Sequence, residues 1–291
     1  MILAGIELGG TKCVAILARG PGDILARETI PTTSPDETLG RIEELLLGWK
    51  RDLGFEMLGI ASFGPIDRAR DSTTFGQILA TPKAGWSGTR VASRLRETVG
   101  VPIAFDTDVN GAALAEMRWG SGRGLDDFAY VTVGTGVGVG LIVGGRPTGG
   151  FGNCELGHIR VPRLPGDDWP GSCPFHGDCV EGLASGSSLE ARFGLRADTI
   201  APGDPLWDSV VWTLAQLCNV MICAASPGRI AMGGGVIAAQ PHLLGQIQSK
   251  LVESLGGFIE LPSGSDYVCA PVLGADAGPL GAIALAMTAT D

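Results

Sequence analysis

Glycine punctuates this chain at the ends of its apolar runs, and that placement restricts the fold more than any other feature. Of 291 residues, 46 are glycine, roughly twice the usual share. They follow no Gly-X-Y period and aliphatic residues are plentiful, so collagen-like and flexible-linker chains are both excluded. Residues 2–8 are apolar and β-compatible, Gly9-Gly10-Thr11-Lys12 interrupts them, and Cys13–Ala18 resumes the run. Phe128–Val133 meets a glycine-rich stretch, 134–140, and continues as a strand at Leu141–Val143. Arg229–Met232 runs into Gly233-Gly234-Gly235. Two strand–glycine turn–strand units predict an internally duplicated fold, with one phosphate-handling turn per half and α/β or α+β architecture.

Side chains at these positions would hold backbone amides away from an anion, so glycine is what an anion nest requires. One such cluster alone reads more readily as a plain hairpin turn; three, each ending a strand, point to a nucleotide. Neither standard fingerprint is present. Thr11 precedes Lys12 where a P-loop needs the reverse order, and Val139 and Leu141 stand at the third-glycine positions of the dinucleotide pattern.

The formal net charge of −10 disfavours nucleic acid or an anionic membrane as partner, since both select basic surfaces. The N-terminal stretch has no basic region and reaches Glu7 at once, so a signal peptide is not expected. The longest apolar run, Val210 to Ala225, contains Thr213, Gln216 and Asn219 and reads as a buried helix. A soluble, cytoplasmic protein is the expectation. Seven scattered cysteines fit reduced thiols or metal ligands better than a disulfide framework.

Leu39, Ile42, Leu45, Leu46 and Trp49 recur at helical spacing. Further helices are predicted at 91–99, 109–119, 204–225, 242–256 and from Pro279 to about Thr288, and strands at 57–63 and 101–105. Asp108 stands where the second of these strands gives way to a helix. It reads as the helix cap, as a base for a substrate hydroxyl, or as both. Residues 145–180 are rich in glycine and proline, a length that needs something other than apolar packing to order it. His158 and the run Cys173-Pro-Phe-His176-Gly-Asp-Cys179 supply it. Two thiolates and two imidazoles suit tetrahedral Zn2+ in a closed, structural site. Glu155 and Glu181 flank this loop, as surface charges or as acceptors for a polyol.

Taken in order, Glu7-Leu-Gly-Gly-Thr-Lys12, Thr107-Asp108-Val-Asn110-Gly-Ala-Ala113, Val131–Gly140, Glu155-Leu-Gly-His158, the Cys/His loop, Gly233–Gly235 and Leu273-Gly-Ala-Asp-Ala-Gly278 resemble the ROK family of sugar kinases. The resemblance covers essentially the whole chain. It implies the actin-like ATPase (ribonuclease H-like) α/β fold, two lobes with a cleft between them: residues 1–108 plus about 275–291, and residues 109–274. ROK repressors carry an added helix-turn-helix ahead of the first motif, which here begins at residue 7, so a kinase is expected. Thr81-Pro-Lys-Ala-Gly-Trp86 and the form of the Cys/His loop look like bacterial fructokinases, and Glu7 in place of the usual Asp fits that subgroup. Thr107 stands where the family usually has Asn, which removes one expected sugar contact.

Carried over by position, the resemblance makes Asp108 the base for the sugar hydroxyl. It places Gly9, Gly10, Thr11, Lys12, Gly134, Thr135 and Gly136 on the phosphates of ATP. Gly233, Gly234 and Ala275 would border the adenosine. Gly64, Pro65, Asp108, Glu155, His158 and Glu181 would hold the sugar. Zn2+ would sit on His158, Cys173, His176 and Cys179, and Mg2+ would bridge the phosphates through water on Glu7. A homodimer making fructose 6-phosphate is implied. Alternatives are a kinase for mannose, glucose or an N-acetylhexosamine, a non-catalytic sugar sensor, and a structural zinc protein with glycine-rich hairpins.

Overall fold

A computed structural model describes residues 1–262 and 266–289. The chain forms two compact units, one of Met1–Gly120, Thr148–Asn153 and the chain from Ala275, the other of Ser121–Pro147 and Cys154–Gly274. In the first unit, β1 (Leu3–Leu8), β2 (Lys12–Gly20), β3 (Asp23–Pro31), β4 (Met57–Ser62) and β5 (Ile103–Thr107) form a sheet in the order β3-β2-β1-β4-β5. The β1–β2 and β2–β3 pairs are antiparallel, and β1–β4 and β4–β5 are parallel. Helices α1 (Pro35–Asp52) and α2 (Val91–Val99) share one core with the sheet, built from residues such as Ile6, Leu39, Leu46, Ile60 and Leu95. Helix α3 (Asp108–Trp119) follows β5 directly.

Two expectations change here. Strand β3 is absent from the sequence reading because it is an edge strand with charged residues on both faces and mostly exposed side chains, so it shows no apolar alternation. The cap of α3 is Thr107, not Asp108: Thr107 is the last extended residue, and its Oγ1 accepts from Asn110 N at 3.2 Å. Asp108 is already helical, the first residue inside the helix.

The second unit holds β6 (Phe128–Val133), β7 (Val137–Val143), β8 (Arg146–Pro147), α4 (Val180–Ala184), α5 (Gly186–Phe193), α6 (Trp207–Ala225), β9 (Ile230–Gly233), α7 (Gly235–Ala239), α8 (Leu243–Leu255) and β10 (Val268–Cys269). Its sheet runs β8-β7-β6-β9-β10, with β6–β7 and β7–β8 antiparallel and β6–β9 and β9–β10 parallel. The two sheets therefore repeat one connectivity, the duplication that the paired glycine turns predicted. Helix α6 is long and apolar enough to cross a membrane by composition alone; Val210, Leu214, Leu217 and Met221 bury it in this unit's core. The expected turn at 134–140 is shorter in fact. Gly138 and Gly140 lie within β7, opposite Thr132 and Tyr130, leaving 134–136 as the turn.

Helix α9 (Ala277–Ala286) belongs to the first unit and lies on small residues of its sheet, Ala61 and Ala104. Approach is backbone to backbone: a Cβ on Gly59 would stand 1.8 Å from Ala282 O, and one on Gly281 would stand 2.4 Å from the carbonyl carbon of Gly111. Gly5, whose Cβ would stand 3.0 Å from Ala282 Cβ, and Gly281 are thus packing glycines. The same contact holds α3 with the first unit, so the division follows α3 at Gly120 rather than preceding it at 108.

Candidate active site

The β1–β2 turn is built so that its carbonyl oxygens face the protein. Gly9 O accepts from Thr32 Oγ1 at 2.7 Å, Gly10 O from Lys83 Nζ at 2.6 Å, Thr11 O from Thr32 N at 3.0 Å, and Lys12 O from Gly9 N at 3.1 Å. Gly9 N is taken up by Lys12 O, so the amides that this turn can offer an anion, as in a nest, are those of Gly10 and Thr11. A Cβ on Gly9 would stand 2.6 Å from Lys12 O, so the turn closes only with glycine there. Lys83 is a residue of this site that sequence reasoning passed over.

Asp108 is half-buried at the first position of α3, where the helix N-terminus favours a negative charge. Its Oδ1 accepts from Val109 N at 2.9 Å. Just before it, Asp106 accepts from Thr107 N and Asn110 Nδ2, both at 2.7 Å, and from Arg68 Nη1 at 3.3 Å. Arg68 and Asp106 were also missed; no local pattern ties a residue after β4 to one at the end of β5. Arg68 follows a cis Gly64–Pro65 peptide. Asn153 Nδ2 donates to Ile66 O in the same segment at 3.2 Å, which turns its buried Oδ1 away, without a partner among the described residues.

The Glu7 carboxyl lies against the first turn of α9, where a Cβ on Gly278 would stand 2.1 Å from Oε1. Burial, with the charge of Asp108 beside it, pushes the group to about 7, against the opposing pull of Lys12 and Arg27. A carboxyl raised on folding takes up protons. Its stabilising contribution is full below the unfolded value near 4.5 and is lost as pH rises through about 7. Glu7→Gln is expected to match the native protein in thermal unfolding at pH 4.5, and to exceed it at pH 8 by about 1–3 kcal/mol, discounted for partial exposure. Equal unfolding temperatures at pH 8 would remove the buried-charge account.

The second turn repeats the first. Gly134 O accepts from Gly186 N at 2.7 Å, Thr135 O from Ser187 Oγ at 2.7 Å, and Gly136 O from Gly134 N at 2.9 Å. Beside it is a cavity of about 550 Å³ lined by Gly134, Thr135, Ser187, Glu190, Gly235 and Val236 among others, within the ~300–1,000 Å³ range of small-molecule sites. Gly233 ends β9, and Gly234, at φ 88°, is packed on Val133; it is Gly235 that reaches the cavity. Ala275 lies in a short 3-10 turn before α9, next to Asp276, which accepts from Arg27 Nη1 at 2.6 Å.

Four donors converge in the second unit. One ligand atom each from His158, Cys173, His176 and Cys179 lies within 4.8 Å of all the others. His158 Nδ1 is 3.8 Å from both sulfurs, and His176 Nδ1 is 3.7 Å from Cys173 Sγ. Local structure assembles them: Cys173 and Gly177 pair back to back, and Cys179 caps α4, its Sγ accepting from Gly182 N. The loop around them is ordered by charge as well. Arg163 and Arg192 both donate to Asp167, and Arg160 and Arg163 to Asp178.

Glu181 is no loose surface charge. Its Oε2 accepts from Val137 N at 3.1 Å, directly after the second turn, and a Cβ on Gly136 would stand 2.4 Å from the same oxygen. Its other oxygen is 3.9 Å from His158 Nδ1. Glu155 sits exposed on the turn that leads to His158. Desolvation of its carboxyl pushes it up, His158 pulls it down, and Glu181 adds to the rise.

The ROK family model matches residues 3–289, and the chain belongs to the ROK family, with its α/β sugar-kinase fold. A fructokinase of Zymomonas mobilis is 39% identical over 292 residues, covering 98% of this chain and 96% of that protein. Among solved structures, a ROK hexokinase from Thermus thermophilus has a TM-score of 0.80 at 27% identity, covering 99% of this chain and 98% of that one. A ROK glucokinase from Streptomyces griseus, in complex with glucose and AMPPNP, has a TM-score of 0.79 at 26% identity, covering 99% and 100%.

Proposed function

We propose that this chain is an ATP-dependent fructokinase, converting D-fructose and ATP to D-fructose 6-phosphate and ADP. What carries the reading is the half-buried Asp108 at the start of α3, together with two backbone turns whose carbonyls are all engaged behind them. Near-full-length likeness to fructokinases supports the sugar. In the reaction, the sugar hydroxyl oxygen forms a bond to the γ-phosphorus and the bond from γ-phosphorus to the bridging oxygen breaks. ADP departs, and the hydroxyl proton passes to an oxygen of Asp108. Positioning and charge neutralisation supply most of the rate in such transfers.

The first turn, residues 9–12, binds phosphate oxygens; in the second unit the turn at 134–136 also binds phosphate, and the cavity beside it takes the nucleoside. Gly64, Pro65, Glu155, His158 and Glu181 orient the sugar. Mg2+ would be held by the phosphates and, through water, by Glu7, whose carboxylate in company with Asp108 offers the hard oxygen donors this cation takes; it supplies neutralising charge. The Cys/His cluster fits Zn2+: its S···N spacings of 3.7–3.8 Å are near the ~3.6 Å edge of a tetrahedron with zinc–ligand bonds of about 2.3 and 2.05 Å. A homodimer in the cytoplasm goes with this reading.

A panel of hexoses in a coupled ADP-release assay tests the sugar. Fructose is expected to give the highest kcat/KM, with glucose and mannose at least about tenfold lower, since one pocket contact is worth a factor of this order. A panel led by glucose or an N-acetylhexosamine would move the chain to another ROK kinase class.

A further inference from the structure

Residues 64–68 begin with Gly64 and Pro65, assigned above to the sugar, and end on Arg68, whose backbone is held from both sides. Ile66 is buried and pairs with Ile78. Asp67 N donates to Gln77 O at 2.9 Å, and Asp67 O accepts from Gly76 N at 2.8 Å. The Asp67 carboxylate closes the turn that follows, accepting from Ser72 Oγ at 2.5 Å and Thr74 Oγ1 at 2.6 Å. From this footing the Arg68 guanidinium reaches Asp106, with Nη1 3.3 Å from each carboxylate oxygen. It lies against Gly149, where a Cβ would stand 2.9 Å from Nη2, so a side chain there would contest the space the guanidinium fills. With 23% and 13% of their side-chain surfaces exposed, Arg68 and Asp106 are screened less than a surface ion pair.

Asp106 divides its oxygens between two tasks. Oδ1 accepts from Thr107 N and from Asn110 Nδ2, both at 2.7 Å, and so bridges the residue before Asp108 to the one two places after it. Thr107 Oγ1 closes the same span by accepting from Asn110 N at 3.2 Å. Oδ2 is turned to Arg68. The backbone that carries Asp108 is thereby clamped on both sides, and the clamp is tied to the segment that starts at Gly64.

We propose that Arg68 and Asp106 are a positioning pair, which sets the base Asp108 against the sugar-holding segment 64–68. The proposal rests on the reading of Asp108 as the base and of Gly64 and Pro65 as sugar contacts. Neither member of the pair takes the proton; both act through Asp108, by fixing the backbone around it. Proton transfer needs the hydroxyl and the carboxylate within hydrogen-bond reach, and a misplacement of about 1 Å costs on the order of a hundredfold in rate.

Asp106→Asn separates the pair from the rest of the junction. Its amide oxygen can still accept from Thr107 N and Asn110 Nδ2, while its NH2 group meets Arg68 donor to donor. Arg68→Met breaks the same tie from the other side. Each is expected to lower kcat on the order of ten- to a hundredfold and to leave ADP affinity native, and Arg68→Lys should recover part of the loss. The two substitutions together should cost no more than either alone. In an Asp108→Asn background neither should slow turnover further, because the base they position is gone. Near-native kcat in Arg68→Met, or a loss that multiplies with that of Asp108→Asn, would overturn the pair's role. ADP affinity falling in step with kcat would do the same. Should Asp106→Asn not fold, Arg68→Met decides the matter by the same readings. If Asp108→Asn alone is near native, the base reading falls and the proposal with it; if it is slow and the losses multiply, only the pair's role is lost.

Discussion

Asp108→Asn is expected to yield a folded protein that binds ADP with native affinity and turns over about 10²- to 10⁴-fold more slowly, the usual contribution of a general base. Fold and binding should survive for stated reasons. The cap of α3 is Thr107, so its hydrogen bond to Asn110 N is untouched, and an Asn at 108 can still accept from Val109 N. Only the proton acceptor is lost. Loss of the negative charge also relieves Glu7, whose carboxyl is raised in part by Asp108, so the unfolding temperature should hold or rise slightly. Turnover within a few-fold of native would remove Asp108 from the base role. Loss of ADP binding together with activity would show instead that the residue shapes the nucleotide site.

The second large effect is in the metal loop. Cys179→Ser, or exhaustive chelation of the native protein, is expected to remove about one zinc per chain and to lower stability by ~3–5 kcal/mol. That corresponds to roughly 10 °C or more in Tm for a unit of this size. The loop from Ile159 to Cys179 contains little regular structure, so a cation on the Cys/His cluster would join the Asp167 and Asp178 ion pairs as its main constraints. Because His158 neighbours Glu181, and Glu181 is tied to the residue after the second turn, loss of the metal should raise the sugar KM as well. Metal analysis of fully active protein that finds no zinc would overturn the assignment.

Several parts of the site are encoded locally and could be read without coordinates. The glycine turns interrupt apolar runs, Cys173, His176 and Cys179 lie within seven residues, and Asp108 stands where a strand gives way to a helix. Other parts are recoverable only in hindsight. Helices α4 and α5 are short and meet at Ser185, which caps α5 by accepting from Ser188 N; a serine at that spacing is the one signal the chain offers. Strand β3 has no signal at all, because a solvent-facing edge strand needs no apolar face.

What the sequence by itself determined is the set of local motifs: two glycine turns between strands, a carboxylate at a strand-to-helix junction, a cluster of two cysteines and two histidines, and with them the family. Each depends on residues a few positions apart, whose relation is set by backbone geometry. Tertiary structure alone decided which distant side chains serve those motifs. Lys83 meets Gly10, Arg68 meets Asp106, and Glu181 meets Val137 N. It also gave Gly59, Gly111 and Gly281 their purpose, as the surfaces over which α9 crosses β4 and α3. Such contacts arise from the packing of whole elements, which no periodicity along the chain records.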